Sequence, residues 1–155
     1  MSLRFSVILA ALGACDGATK TTPDSADSGS EPVVDSGTPP EGLSIVGSYV
    51  DVFGSTHEIT EQSWTVQYAG YDPNVFTIAA WDDEWLVAQN AADNAYFPDL
   101  WSRFDWVTGP DGHLYYCQTA YAAADRAEAE AAPRGDDVDP GADGCGGFPW
   151  TDLTP

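Results

Sequence analysis

Basic residues are scarce. Five Lys and Arg face 25 Asp and Glu across 155 residues, a formal net charge of −20. A body so acidic repels phosphates and offers no basic patch to receive them, which makes nucleic acid a poor partner. No run of 18 or more apolar residues follows the N-terminus, so the sequence predicts no later membrane span. Only two histidines and three cysteines occur, without a CxxC or HxxxH spacing. There is no Gly-x-Ser-x-Gly elbow, no His-Glu-x-x-His and no Gly-rich phosphate loop. The scattered carboxylates define no acid/base pair, because so many pairs could be drawn from them. These absences argue against an enzyme, and no cofactor is expected.

The N-terminus reads as an address. Arg4 gives a positive start and Phe5 to Leu12 a short apolar core, too short to be a stable membrane-crossing helix. Leu12-Gly13-Ala14-Cys15 resembles the lipobox of bacterial lipoproteins, with Leu three residues before an obligatory Cys and small residues between. The resemblance implies cleavage after residue 14, diacylation of Cys15 and acylation of the new amino terminus, palmitate-type chains that satisfy the need for more than one anchor. The bland alternative is an ordinary signal peptide with an incidental Cys15. Asp16 resembles the inner-membrane retention signal of enteric bacteria, which other lineages need not obey. Cleavage would remove one charge, Arg4, and leave four basic and 25 acidic residues. Anionic lipid would repel that body, so the acyl chains must supply attachment to the membrane. The expected location is the cell envelope of a Gram-negative bacterium, periplasmic or on the outer surface.

Residues 15–42 are rich in Asp, Ser, Gly, Thr and Pro, and Val33 and Val34 are the only sizeable apolar residues after Cys15. Such a segment cannot offset its ordering entropy by burial, so it is expected to be a disordered linker with an r.m.s. span of roughly 30 Å.

Residues 43–155 carry all six Trp and all seven Tyr, enough for one core. β-rich or alternating stretches at Ile45–Phe53, Thr56–Thr60, Ser63–Ala69, Val75–Trp81, Trp85–Gln89, Trp101–Val107 and His113–Gln118 are separated by turn signals such as Gly54-Ser55 and Gly109-Pro110-Asp111-Gly112. Ala120 to Ala132 is Ala-rich, with Thr119 as N-cap and Pro133 and Gly135 as stop, and predicts a C-terminal helix. The expected fold is mainly β, an antiparallel meander closing into a small barrel, with a two-sheet sandwich as runner-up.

With Cys15 given to lipid, Cys117 and Cys145 remain, and two cysteines in an exported chain point to a disulfide. It would hold Phe148 and Trp150 over one mouth of the barrel. The rival is a metal site of Cys117, Cys145, His57 and His113.

Asp137, Asp139 and Asp143 alternate along a Gly-rich acidic loop and are candidate, weak Ca²⁺ ligands. However, the fifth position is Gly141 and no Glu stands at the twelfth. His57 and His113 are candidate bases that lack an evident nucleophile. Arg103 shares a strand face with Asp105 and Trp101, and is expected to pair with Asp105 or stack on a ring; an anionic ligand is the alternative. Trp81, Trp85, Trp101, Trp106 and Trp150 are candidates for a glycan-stacking surface, although core placement is the default.

Gly47-Ser48-Tyr49 is similar to the Gly-x-Trp opening of lipocalin-type barrels, with Tyr for Trp. That resemblance implies carriage of a small apolar ligand in a cavity, with Arg103 packed over the Tyr49 ring. Inward positions such as Trp64, Val66 and Tyr68 would line the cavity. The longer string of Gly47-x-Tyr49-x-Asp51-x-Phe53-Gly54-x-x-His57, Trp101 to Trp106, Tyr115-Tyr116-Cys117 and Gly144 to Trp150 looks like uncharacterised lipoprotein domains of large-genome Gram-negative bacteria. It implies an exported, stalked β domain and carries over no catalytic residue. The sequence therefore points to a non-catalytic binding or surface-interaction domain, with a lipocalin-like carrier or a glycan-binding module as alternatives.

Overall fold

In the computed structural model, residues 42–155 are described, and the lipobox and nearly all of the linker lie outside them. The strands are β1 (Gly47–Asp51), β2 (Thr56–Ile59), β3 (Ser63–Gln67), β4 (Asn74–Trp81), β5 (Trp85–Asn90), β6 (Trp101–Thr108), β7 (Leu114–Ala123) and β8 (Thr151–Thr154). Each pairs antiparallel with its sequence neighbour, and β8 returns to β1 to close an eight-stranded barrel. The closing seam is short, Val50 opposite Thr154 and Asp51 opposite Leu153. Closure leaves no long free edge to recruit another chain.

Period-two alternation decides which side chains face inward. On β2, His57 and Ile59 are buried between exposed Thr56 and Glu58. On β3, Trp64 and Val66 point in, as expected from the sequence, but Tyr68 lies beyond the strand and is exposed. A register shift between Ile78 and Ala80 turns Trp81 to the core side. Trp64 stacks on Phe104 at 4.6 Å between ring centroids, and Phe76 meets Phe104 edge-on at 5.0 Å. With Ile59, Leu86, Trp106 and Leu153, these rings fill the barrel axis. Leu43 and Ile45 pack beneath them where the chain enters. Each such side chain contributes about 1.5–3 kcal/mol by leaving water.

The outer wall carries a second, smaller core. Val87 and Ala123 meet Ala129 of a short helix, α1 (Arg126–Glu130), with Trp85 and Trp101 at the edge. This explains why alternation fails on β6, where five consecutive residues, Ser102 to Trp106, are buried. Arg103 and Asp105 face outward but lie under α1.

The C-terminal helix is shorter than its sequence predicts. Ala120 to Ala123 extend β7, and α1 begins only at Arg126. Pairing with β6 overrides the helix preference of alanine. Thr119 is not the cap; its hydroxyl donates to Asp105 (2.8 Å). Asp125 caps instead, accepting from the Glu128 amide at 2.9 Å, while Glu128 accepts from the Ala124 amide at 2.7 Å. Strand β8 has no counterpart in the sequence reading, because its four residues, Thr-Asp-Leu-Thr, show too little alternation. The Cys117–Cys145 disulfide is present, with Cα atoms 5.6 Å apart. Trp150 is buried, but against the acidic loop, its Nε1 donating to the Asp136 carbonyl at 2.9 Å, and Phe148 is 71% exposed, so the two rings do not together cover the barrel mouth.

Candidate functional site: the aromatic end of the barrel

The two ends of the barrel differ. The chain enters at one end through Leu43 and Ile45, beside the β2–β3, β4–β5 and β6–β7 turns. The opposite end is built from the β1–β2 turn, the β3–β4 and β5–β6 loops, the end of β7 and the approach to β8. All seven exposed Phe and Tyr rings among the described residues lie there: Phe53, Tyr68, Tyr71, Tyr96, Phe97, Tyr121 and Phe148. Random scatter would place some at each end, and Phe53, Tyr68, Tyr121 and Phe148 line adjoining cavities, a clustering of exposed apolar surface that marks an interaction site.

Local geometry holds this end in place. The β1–β2 turn closes through Gly54 at φ 84°, and the Asp51 carboxylate accepts the Phe53 and Ser55 amides at 2.9 and 2.8 Å. Phe53 is thereby projected outward, 83% exposed. In the β5–β6 loop, Phe97 has φ 52°, a conformation a bulky residue rarely adopts. The Asn90 side chain holds it, donating to the Phe97 carbonyl (2.8 Å) and to the Tyr121 carbonyl (3.1 Å). Backbone strain of this kind persists only where the surroundings fix it.

Two cavities open between the rings. One of about 490 Å³ lies among Phe53, Tyr116, Gln118, Tyr121 and Phe148. The other, about 340 Å³, lies among Asp51, Phe53, Tyr68 and Tyr116. They share Phe53, Tyr116 and Thr151 and so form one divided groove.

Beneath the groove runs a buried polar chain. Trp64 Nε1 donates to His57 Nδ1 at 3.0 Å, and His57 Nε2 faces Asp51 Oδ2 at 3.3 Å. The indole is only a donor, so His57 Nδ1 must be an acceptor and the proton sits on Nε2. The imidazole is therefore neutral. Burial pushes its pKa down, against the opposing pull of Asp51. Burial alone would raise the Asp51 carboxyl, but hydrogen bonds from Ser55, His57 and Phe53 outweigh it and hold it below its ordinary value. Burial, then the Asp51 charge, raises the Tyr68 phenol. Tyr116 is raised too, by burial first, then by Tyr68 and Asp51.

The residues singled out from sequence lie mostly elsewhere. Trp64 is fully buried and offers no surface to a ligand. Arg103 does not cover Tyr49. It sits on the outer wall, donating to Asp105 at 2.9 Å and to the Glu130 carbonyl at 2.6 Å, with its guanidinium 5.0 Å from the Trp85 ring centroid. Pairing with Asp105 and ring stacking, both expected, thus occur together, and no exposed fork remains for an anion. Tyr49 lines a cavity of about 460 Å³ at the opposite end, its hydroxyl donating to the Ile45 carbonyl at 3.1 Å. Asp137 pairs with Arg134 at 3.0 Å and Asp139 accepts the Gly141 amide at 3.2 Å. Among the described residues, no three His, Cys, Asp or Glu side chains gather to hold a metal ion, Asp143 included. Trp64, Trp106 and Trp150 are buried and the other three partly so; the exposed rings are Tyr and Phe.

His113 is on the surface, its Nδ1 3.1 Å from Asp152. Hydrogen bonding to Asp152, then that charge, raises its pKa. Neighbouring Tyr115 donates to Asp111 at 2.6 Å and is pushed up to about 12. No Ser, Thr or Cys is bonded to either imidazole among the described residues.

Sequence reasoning missed Phe53, Tyr116, Tyr121 and Phe148. A usable signal was present: Phe53-Gly54, Gly70-Tyr71 and Gly147-Phe148 each set a ring beside a turn glycine, where an inward side chain is hard to place.

No family model, curated protein or solved structure matches this chain. The aromatic end must therefore be read from its own chemistry.

Proposed function

We propose that the protein is a lipid-anchored binding domain of the cell envelope, one that catalyses no reaction and takes its ligand at the aromatic end of the barrel. The observation that carries the reading is the segregation of every exposed aromatic ring of the described residues to the end opposite the one where the chain enters. The glycine turn and the Asn90 clamp fix the backbone that presents Phe53 and Phe97, so less of the chain has to be ordered on binding. The lipobox-like Leu12-Gly13-Ala14-Cys15 supports anchoring, and the strong acidity makes the acyl chains its attachment. A non-catalytic role is supported by His57, whose two nitrogens are both engaged inside the core.

The filled barrel axis favours a ligand in the terminal groove over one carried inside. A glycan is the second reading, favoured by Gln118, Thr151 and Tyr116, whose polar groups stand among the rings. Labelling with a palmitate analogue tests the anchor: the intact chain is expected to label and sediment with membranes, and Cys15→Ser to do neither. Binding of glycan or envelope preparations by wild type, lost in a Phe53→Ala/Tyr121→Ala/Phe148→Ala variant of unchanged Tm, tests the site. Equal binding by that variant refutes it.

A further inference from the structure

We infer that the smaller compartment of the groove, between Phe53, Tyr68 and Tyr116 with Asp51 beside them, is a site for an alkylammonium or quaternary ammonium group. The cavity of about 340 Å³ presents three aromatic rings and one carboxylate, with no Lys or Arg in its lining. Ring faces attract cations, and clustered rings are the recurrent receptacle for quaternary ammonium groups.

The decisive feature is that the charge of Asp51 is not neutralised. Its carboxylate accepts hydrogen bonds from two backbone amides, Phe53 and Ser55, and from His57. All three donors are neutral, because Trp64 donates into His57 Nδ1 and leaves no place for a second proton there. Hydrogen bonds stabilise the anion without cancelling its field. Among the described residues, no other cation supplies the missing charge. The three arginines of the described residues are all paired with other carboxylates: Arg103 with Asp105, Arg126 with Glu130, and Arg134 with Glu84 and Asp137. Asp51 lines the same cavity as Tyr68 and Tyr116, so its field reaches the cavity walls. An ammonium group placed there meets a negative charge and the negative faces of rings at once. A quaternary group, cloaked in methyls, is weakly hydrated and loses little on leaving water, whereas a primary ammonium gives up more. An anion would meet repulsion from every side, and a neutral alkyl group would gain only the apolar contacts. The long-range field of a chain with net charge −20 also draws cations toward the groove.

The same chemistry is found on a free small molecule and on a lysine side chain, methylated or not. The proposal rests on the binding-domain reading only for placing the ligand at this end. Its test uses the detergent-solubilised full-length chain in a non-ionic detergent, with calorimetric titration and ring-proton chemical shifts as readouts. The probes are choline, tetramethylammonium, N-acetyl-lysine methylamide and 3,3-dimethylbutanol, the uncharged carbon isostere of choline. The ammonium probes are expected to bind saturably and to shift the Phe53, Tyr68 and Tyr116 resonances, with the neutral isostere about tenfold weaker or worse. Preference for choline assigns a free small molecule, and preference for the lysine probe a protein-borne group.

Asp51→Asn removes the charge but risks the turn that Asp51 organises. The Phe53→Leu/Tyr68→Leu double variant therefore serves as second test, since both rings are exposed and Leu keeps apolar bulk. It is expected to keep its Tm and to lose about tenfold in ammonium affinity. Equal binding of choline and its neutral isostere, no saturable binding of any ammonium probe, or indifference to the double variant would each overturn the proposal. Loss of envelope binding in the triple aromatic variant, together with ammonium silence, would leave the binding domain standing and remove only this ligand class.

Discussion

Asp51, His57 and Trp64 show how one residue's environment sets another's chemistry. Trp64 fixes the tautomer of His57, His57 donates to Asp51, and Asp51 in turn gathers the turn that presents Phe53. The arrangement has a pH signature. His57 sits below its ordinary 6.5 in the folded state, so the unfolded chain takes up a proton that the folded chain refuses. Stability then falls as pH drops below about 6.5, by at most about 1.4 kcal/mol per pH unit for one proton. Asp51, also lowered, adds stability that is complete above 3.8 and lost as pH falls through its folded value. His113 acts in the other direction: its pKa is raised, so its contribution is full below 6.5 and fades at higher pH. Because His113 is 43% exposed at the side chain, solvent screens that effect. His57→Gln can still accept from Trp64 and donate to Asp51, and it does not titrate. Urea unfolding between pH 7.5 and 5.5 is expected to show a marked loss for wild type and a flatter profile for His57→Gln. Parallel profiles would refute the assignment of His57 as the group responsible.

At the scale of elements, α1 is held to the barrel by a hydrogen bond from Arg103, whose charge is paired with Asp105 on the same strand, as well as by apolar contact. Arg103 reaches from β6 to the Glu130 carbonyl, and Asp105 beneath it is fully buried and also receives Thr119. Removing one partner leaves the other charge stranded in a poor solvent. Arg103→Met is therefore expected to cost about 3–5 kcal/mol, whereas Arg103→Met with Asp105→Leu should recover most of it. Thermal or urea unfolding of the single and double variants decides this, and a double variant no better than the single would show that packing, not charge, holds the helix. Asp125→Ala, by contrast, removes only an N-cap on a five-residue helix and should cost about 1 kcal/mol. The same elements show what a sequence can disclose. The strand Ser63–Gln67 was legible because one face is dry and the other wet, which writes alternation into the residues. β6 was legible as a strand but not as a doubly covered one, since the helix that covers it is placed by tertiary contact. The alanines at 120–123 were misread for the same reason: their local preference is helical, and pairing with β6 outweighs it. The site was the least legible part. Phe53, Tyr121 and Phe148 belong to three distant segments, and nothing local tells that they converge.

For the molecule as a whole, the weakest part of the barrel is its seam, and the disulfide guards it. β8 contributes four residues, held by two register pairs to β1 and three to β7. Between β7 and β8 lie Ala124 to Trp150, a stretch with one short helix and an acidic loop whose carboxylates repel one another. Cys145 is fixed to Cys117 on β7, one residue beyond the Tyr116–Thr151 pair, so the bond returns the chain to the place where β8 must start. Cross-linking over a separation of 28 residues contributes about 3–4 kcal/mol in the chain-entropy treatment. A small domain has little stability to spare, and a loss of that size is a large fraction of a typical total. Reduction, or Cys117→Ser with Cys145→Ser, is thus expected to lower the unfolding free energy by about 3 kcal/mol. Hydrogen exchange at β8 and β1 should quicken first, while β4, β5 and β6 stay protected. Because Tyr116, Thr151 and Phe53 all border that seam, ligand binding at the aromatic end should weaken on reduction before global unfolding sets in. Exchange that rises uniformly across all eight strands would instead show that the bond stabilises the whole barrel through the unfolded chain and has no special hold on the seam.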